Sequence, residues 1–344
     1  MISYILKEPK CVEAQEGPKP VPQGREVLVR IRYVGICGSD IHLFNGTYNG
    51  PHSYPMRFGH EWSGVVEAVG SEVTRVAVGD VVTGDCSRYC GACPSCEVDK
   101  NLCQHIEKFG ITVDGASADY ILRDEMYLYK APEGLDIKHL CLSEPVAVAA
   151  HLLEKVRKAV PGGFADKRVL VLGGGVIGMS ALMLLLHMEN CRQAELYDLA
   201  ESRTALARGE GARIPAAQEL APSSEGGDYA SLYAAAKYDV VIETTGVASV
   251  FANALNLVKP GGVLGCVGMI AKVEIAQKLI VTKSLTVIGS IGGTGDFPRA
   301  MEFLCKNPAS ADKLISHYYP IGEAVQAFAT ARVPEGTMKV VLTL

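Results

Sequence analysis

The run "RVLVLGGGVIGMSALMLLLHM" at residues 168–188 constrains this chain more than any other stretch. An apolar, β-branched strand pattern leads straight into Gly173-Gly174-Gly175-Val176-Ile177-Gly178, and an apolar helical pattern follows with no loop between. A strand that turns directly into a helix returns to its sheet by a crossover, so its neighbours are parallel. Downstream segments repeat the alternation: "QAELYDL", "ESRTALARGEGA", "YDVVIETTG", "ASVFANALNLV", "GGVLGCVGM" and "LTVIGSI". Near-continuous apolar strands alternating with helices predict a doubly wound α/β domain over residues 146–292, its parallel sheet covered on both faces.

The texture before it is different. Residues from about 25 to 130 hold short segments such as "EVLVRIRYVGI", "SGVVEAVG" and "GDVVTGD", separated by Gly, Pro and Asp turns. That pattern predicts an irregular, mostly antiparallel β domain over 1–145. A chain of 344 residues has room for two cores but not three, so the tail 293–344, ending in "KVVLTL", is expected to complete the first domain. The net charge of -5 and the absence of a Lys/Arg stripe exclude nucleic acid and anionic membrane as natural partners, which leaves a small molecule. No apolar run approaches the roughly 20 residues of a membrane helix, and "MISYILKEPK" lacks the features of a signal peptide, so a cytoplasmic location is expected.

In the glycine turn, Gly173 permits the tight bend, Gly175 lets a pyrophosphate approach the backbone, and Gly178 lets helix and strand pack closely. The helix opening at Val176 and Ile177 offers unpaired N–H groups and the positive end of its dipole. The next strand pattern ends in Asp198, twenty residues past Gly178, where an acid meets the adenosine ribose hydroxyls. An acid there also repels a 2'-phosphate, so NAD is expected over NADP. Arg203, five residues on, is the residue that counts against this preference for NAD, its plain reading being a solvated helix residue near the adenine edge.

Metal chemistry is written into the cysteines. Five of the eleven fall in "GDCSRYCGACPSCEVDKNLC", and in a chain this long clustered cysteines read as metal ligands rather than disulfides. Cys90, Cys93, Cys96 and Cys103 form C-x2-C-x2-C-x6-C, which suits a closed tetrahedral zinc that stabilises the 86–104 loop and leaves no position for substrate. Cys86 is an alternative ligand there, and an iron–sulfur cluster is the other four-cysteine option. Cys11, Cys141, Cys191, Cys266 and Cys305 read as buried small hydrophobes. A second group is dispersed: "GICGSDIH" (Cys37, Ser39, Asp40, His42), "GHEWSG" (His60, Glu61) and Glu144 in "LSEPVAVAAH". These residue types suit a catalytic zinc, which takes three protein ligands and keeps one position open.

The order GxCGSDxH, GHE, four-cysteine lobe, EP pair, glycine turn, "ETTG" and "KPGG" resembles the zinc-dependent medium-chain dehydrogenase/reductase (alcohol dehydrogenase) family over essentially the whole chain. The β domain would then be GroES-like and the second domain a Rossmann domain. Glu144, where alcohol dehydrogenases of animals and yeast carry a cysteine, resembles the polyol, threonine and sugar dehydrogenase branch. "GHEWSG", "GITVDGASADY" and "EPVAVA" are similar to 2-deoxy-scyllo-inosamine dehydrogenases of antibiotic (aminoglycoside) biosynthesis.

The resemblance implies two zinc ions per chain: a structural one on the four cysteines, and a catalytic one on Cys37, His60 and either Glu61 or Glu144. It implies oxidation of a secondary alcohol by hydride transfer to NAD, with Ser39 and His42 relaying the proton outward. Asp40 is read as structural. The substrate would be an aminocyclitol, sugar or polyol, with threonine as the alternative, lined by the 43–58 loop that carries Tyr48, His52 and Tyr54. Association as a homodimer or homotetramer through "LTVIGSI" is expected. A metal-free reductase and a non-catalytic nucleotide-binding or redox-sensing protein are the competing classes, and both predict no NADH formation from polyols.

Overall fold

In the computed structural model, which describes residues 1–222, 228, 230 and 233–344, the chain groups into two units. The first comprises residues 1–147 and 292–344, and the second residues 148–291.

The second unit is built on five parallel strands in the order Gln193–Tyr197, Arg168–Leu172, Tyr238–Glu243, Val258–Cys266 and Thr286–Gly289. A parallel bridge between Glu195 and Arg213 lies beyond Gln193–Tyr197. It supplies the third position of the 3-2-1-4-5-6 order that defines the Rossmann fold. Val169, Leu170 and Val171 are fully buried because helices cover both faces of their strand. Helix Val176–His187 is itself buried from Gly178 to Leu185, which explains why its sequence is apolar all round rather than striped. Lys283, also buried, donates to the carbonyls of Leu255 (3.0 Å), Asn256 (2.8 Å) and Val258 (3.1 Å). It thereby caps the C-terminal end of helix Ala248–Leu257, whose last carbonyls have no partner within the helix.

The first unit carries a sheet ordered Leu128–Lys130, Val81–Gly84, Glu61–Val69, Glu26–Gly35, Lys339–Thr343, Ile315–Pro320, with Tyr120–Asp124 added to Glu26–Gly35. Every pairing is antiparallel except that of the last two strands of that path. The tail therefore enters the sheet directly: Val341 pairs with Gly35, and Phe328 stacks on Phe44 at 4.4 Å. Inward-facing Val29, Ile31, Trp62 and Leu342 share one apolar core.

Two features of the sequence reading are corrected. The hairpin Ile2–Glu8/Cys11–Glu16 and the strand Ile315–Pro320 lie outside the expected strands; nearly all their residues are exposed or only partly buried, so they carry little of the apolar pattern of a core strand. Cys141 and Cys191 are buried as expected, but Cys11, Cys266 and Cys305 are only partly so. Cys11 sits on the N-terminal hairpin with its sulfur 3.8 Å from the Glu13 carboxylate.

Candidate functional site

Strand Glu26–Gly35 delivers the chain to Cys37, which begins helix Gly38–Asn45. Asp40 accepts hydrogen bonds from the Cys37 N–H (2.9 Å) and the Gly59 N–H (3.2 Å), tying the Cys37 loop to the residue that precedes His60. This is the structural task expected of Asp40. The same carboxylate lies 3.8 Å from His60 Nδ1, which has no hydrogen-bond partner among the described residues. Ser39 Oγ is 3.5 Å from His60 Nε2. The ligand atoms of Cys37, His60 and Glu61 all lie within 4.8 Å of one another.

Glu61 is held by a residue the sequence did not advertise. Lys339, 4% exposed, places Nζ 2.8 Å from Glu61 Oε1 and 2.6 Å from Oε2, and donates to the Ile36 carbonyl at 3.0 Å. The only sequence signal was a lone cation inside the apolar strand "KVVLTL". Gly35 is required beside the pair, since a side chain there would overlap Glu61 and Lys339.

The donor set is one that suits a metal ion. Asp40, Glu61 and Glu144 are all buried here against one lysine. Burial pushes the Asp40 and Glu144 carboxyls up. Burial opposes charge on His60, yet Asp40 and Cys37 hold its pKa well above the ordinary imidazole range. Without metal these groups are pushed toward the neutral carboxyl and the protonated imidazole, whereas a thiol, an imidazole and a carboxylate within 4.8 Å of one another are the donor types that zinc takes, so the residues fit zinc. Asp40 stands behind His60 at 3.8 Å from Nδ1, an ion-pair distance longer than the hydrogen bond by which a carboxylate commonly orients a ligating imidazole.

Of the two glutamates read from the sequence, the structure groups Glu61 with Cys37 and His60 and leaves Glu144 outside that group. Glu144 lies in the first turn of helix Ser143–Ala159, buried. Cys86 is not part of the four-cysteine set. In that set the sulfurs of Cys93 and Cys96 are 3.5 Å apart, Cys90 and Cys103 3.6 Å, Cys90 and Cys96 3.9 Å, and Cys93 and Cys103 4.0 Å. The edge of a tetrahedron with 2.3 Å zinc–sulfur bonds is about 3.8 Å, whereas a disulfide needs about 2.05 Å. Backbone N–H groups of Cys90 and His105 point at Cys103 Sγ (both 3.3 Å), and that of Gln104 at Cys93 Sγ (3.5 Å). They stabilise thiolates, and the contact from Gln104 is the foremost cause that lowers Cys93 to about 6. The cluster fits a closed structural zinc.

His42 is exposed on its helix, with Nδ1 3.0 Å from Thr47 Oγ1. In the 43–58 loop, His52 Nδ1 contacts the Gly50 carbonyl (2.8 Å) and Tyr54 donates to the Leu43 carbonyl (2.6 Å), so these two rings hold the loop itself. Tyr48 is half-buried, and its pKa is raised first by burial and then by the Cys37 thiol beside it.

In the second unit Gly173 adopts φ +98°, and a side chain at Gly178 would run into the Gly173 carbonyl. A side chain at Gly175 would meet nothing within 4 Å, so open space lies before the N–H groups of Val176 and Ile177. Asp198 accepts from the Gly174 N–H (2.6 Å) and the Ala200 N–H (2.8 Å), with Arg203 3.5 Å away. Acid, arginine and glycine turn are thus brought together at the C-terminal ends of adjacent strands, the position where open α/β sheets bind nucleotides.

A GroES-like β unit with an open three-ligand cluster and a closed four-cysteine lobe, joined in one chain to a Rossmann unit, defines a zinc-dependent medium-chain dehydrogenase. Residues 23–133 match the alcohol dehydrogenase GroES-like domain and residues 177–306 the zinc-binding dehydrogenase family. The chain belongs to the zinc-binding alcohol dehydrogenase family, in its polyol and sugar branch. It is 30% identical to a sorbitol dehydrogenase of Halalkalibacterium halodurans, covering 96% of this chain and 94% of that one. It is also 30% identical to an L-threonine 3-dehydrogenase of Saccharopolyspora erythraea, over 93% of this chain and 92% of that one. Among solved structures, the rspB alcohol dehydrogenase of Escherichia coli CFT073, complexed with NADH, superposes with a TM-score of 0.88 at 26% identity, over 100% of this chain and 99% of that one.

Proposed function

We propose that this protein is a zinc-dependent, NAD-linked dehydrogenase that oxidises a secondary alcohol of a polyhydroxylated substrate to a ketone. The observation that carries the reading is the cluster of three ligand types, Cys37, His60 and Glu61, separate from a closed four-cysteine lobe. Three protein ligands leave a position for substrate, and four do not. Zinc held by Cys37, His60 and Glu61 would supply a Lewis acid for the substrate hydroxyl, and NAD held by the second unit would supply the hydride acceptor.

The chain's own residues do the rest. Cys37, His60 and Glu61 hold the metal, Asp40 stands behind His60, and Lys339 orients Glu61. Ser39, beside His60, would accept the hydroxyl proton while releasing its own toward the cofactor ribose, and exposed His42 would pass that proton to water. Gly175 and the N–H groups of Val176 and Ile177 receive the pyrophosphate, and Asp198 the ribose hydroxyls, which disfavours a 2'-phosphate. Arg203 flanks the adenine.

The sorbitol and threonine relatives support a polyol or amino alcohol as substrate, and the branch reading adds aminocyclitols. The reading includes association through strand Thr286–Gly289, which pairs on one side only among the described residues and leaves Val287 40% exposed. No helix among those residues is long and apolar enough to cross a membrane, and the site of action is proposed to be the cytoplasm. The test is NADH absorbance across sugar alcohols, aminocyclitols including 2-deoxy-scyllo-inosamine, and threonine. At least one polyhydroxylated alcohol should be oxidised with NAD and chelation should abolish it; a metal-replete protein inert to all of them would overturn the reading.

A further inference from the structure

The chain leaves the second unit between Ile291 and Gly292. Ser290 follows strand Thr286–Gly289, and its N–H donates to the Cys266 carbonyl at 3.0 Å, at the C-terminal end of the parallel sheet. Open α/β sheets bind nucleotides at that end, and the glycine turn and Asp198 belong to the half of the sheet that takes adenosine. Strand Thr286–Gly289 belongs to the other half, so the segment that follows it serves the nicotinamide end.

Just beyond that point the segment is gripped by the four-cysteine lobe. Asn101 Oδ1 accepts the Thr294 N–H at 3.0 Å, and Asn101 Nδ2 donates to the Thr294 carbonyl at 3.2 Å. Nδ2 also donates to Asp99 Oδ1 at 2.8 Å, and the same oxygen accepts the Asn101 N–H at 2.9 Å, capping the 3-10 turn Lys100–Leu102. With the side-chain nitrogen and oxygen both committed, the amide has one orientation. Cys103, whose sulfur belongs to the metal set, is two residues past Asn101, and its N–H closes the same turn on the Lys100 carbonyl at 3.2 Å. A metal that fixes Cys103 thereby fixes the direction in which Asn101 points. Gly292 is fitted to the contact, since its φ is +70° and a side chain there would run into Asn101 Oδ1. The Thr294 hydroxyl is held separately, donating to Asp85 Oδ1 at 3.0 Å. Asn101, Asp85 and Thr294 are all buried, so water cannot replace these partners.

We propose that Asn101 is a positioning residue through which the four-cysteine lobe holds the segment 290–294 in place for the nicotinamide half of the cofactor. The inference rests on the second unit binding NAD. Without the Asn101 amide the Thr294 N–H and carbonyl are left buried and unpaired, and the segment must shift toward water to satisfy them. Asp85 grips only the hydroxyl, which leaves the backbone able to turn. The affinity lost belongs to the nicotinamide half, because the adenosine half rests on the glycine turn and Asp198. The coupling is also reciprocal: what the lobe gives to cofactor binding, the bound cofactor returns to the lobe metal.

The test is titration calorimetry of the full, zinc-loaded chain with NAD and, separately, with AMP, which reports the adenosine half alone. Asn101→Ala should keep its lobe zinc, bind AMP as wild type does and bind NAD about 5-fold or more weakly. Gly292→Ala drives a methyl group against the same amide from the other side and should give the same pattern. It leaves the lobe sequence intact, so it gives the answer if Asn101→Ala does not fold. In Cys37→Ser protein, which keeps the lobe zinc alone, NAD should slow transfer of that zinc to a chelator about 5-fold or more, and adding Asn101→Ala should remove the protection. NAD affinity at the wild-type value in both variants would overturn the proposal, as would an equal fall in AMP affinity, the mark of general damage to the nucleotide unit. Wild type that bound no NAD would remove the reading on which the proposal rests, whereas NAD bound equally by wild type and variants removes only the role of Asn101.

Discussion

Replacing Lys339 by methionine keeps the length of the side chain and removes the one lysine that faces Glu61. The ammonium is 2.8 Å and 2.6 Å from the two carboxylate oxygens and 4% exposed, so solvent cannot take its place. Removing one member of a buried ion pair costs about 3–5 kcal/mol, because the other charge is left uncompensated. Bound metal gives Glu61 a divalent cation in addition to Lys339, which chelated protein lacks. The loss should therefore reach about 5 kcal/mol in chelated protein, a fall in Tm of roughly 10–20 °C for a unit of this size, and less than half of that with zinc bound. Both proteins lose the four-cysteine metal on chelation, so the comparison cancels that effect. The sign with pH is also fixed. Burial opposes charge on Lys339, but Glu61 and Cys37 raise its pKa above the ordinary lysine value. Its contribution is then complete below the unfolded lysine pKa of about 10.4 and is lost only as pH rises through the higher folded value. Calorimetry of wild type and Lys339→Met, zinc-loaded and chelated, at pH 7 and pH 9, should show the same deficit at both pH values. A chelated variant melting within about 2 °C of wild type, or a larger loss with zinc than without, would refute the argument.

In the nucleotide unit, Gly175→Val puts a branched side chain into the open space before the helix N-terminus, so NAD affinity by titration calorimetry should fall about 10-fold or more with zinc content unchanged. An unchanged affinity would mean the pyrophosphate lies elsewhere. Lys283 makes the opposite pH prediction to Lys339: burial pushes it down to about 8, so the unfolded chain binds the extra proton between about 8 and the ordinary lysine value. Stability of wild type relative to Lys283→Met should rise from pH 8 to pH 10, and a difference that stays flat or falls would contradict the burial of that charge.

What could be read from the sequence was what the chain writes locally. The strand, glycine turn and helix at 168–188 and the acid at Asp198 lie within one supersecondary unit, and the lobe cysteines span 90–103, so spacing alone carried both. The catalytic group is assembled from residues 37, 60 and 61 on different elements, and residue types could nominate Glu61 and Glu144 without choosing between them. Lys339 is 278 positions from its partner Glu61, a separation no local pattern reports. Cys86, only four residues from Cys90, could not be told from a lobe ligand by spacing, yet it stands outside the group formed by Cys90, Cys93, Cys96 and Cys103.

Metal content per chain tests the central claim most directly. The account predicts about two zinc ions in fully loaded wild type and one in Cys37→Ser, which should fold, keep its four-cysteine zinc and form no NADH from the alcohol that wild type oxidises. Cys37→Ser that still held two zinc ions and turned over normally would contradict it.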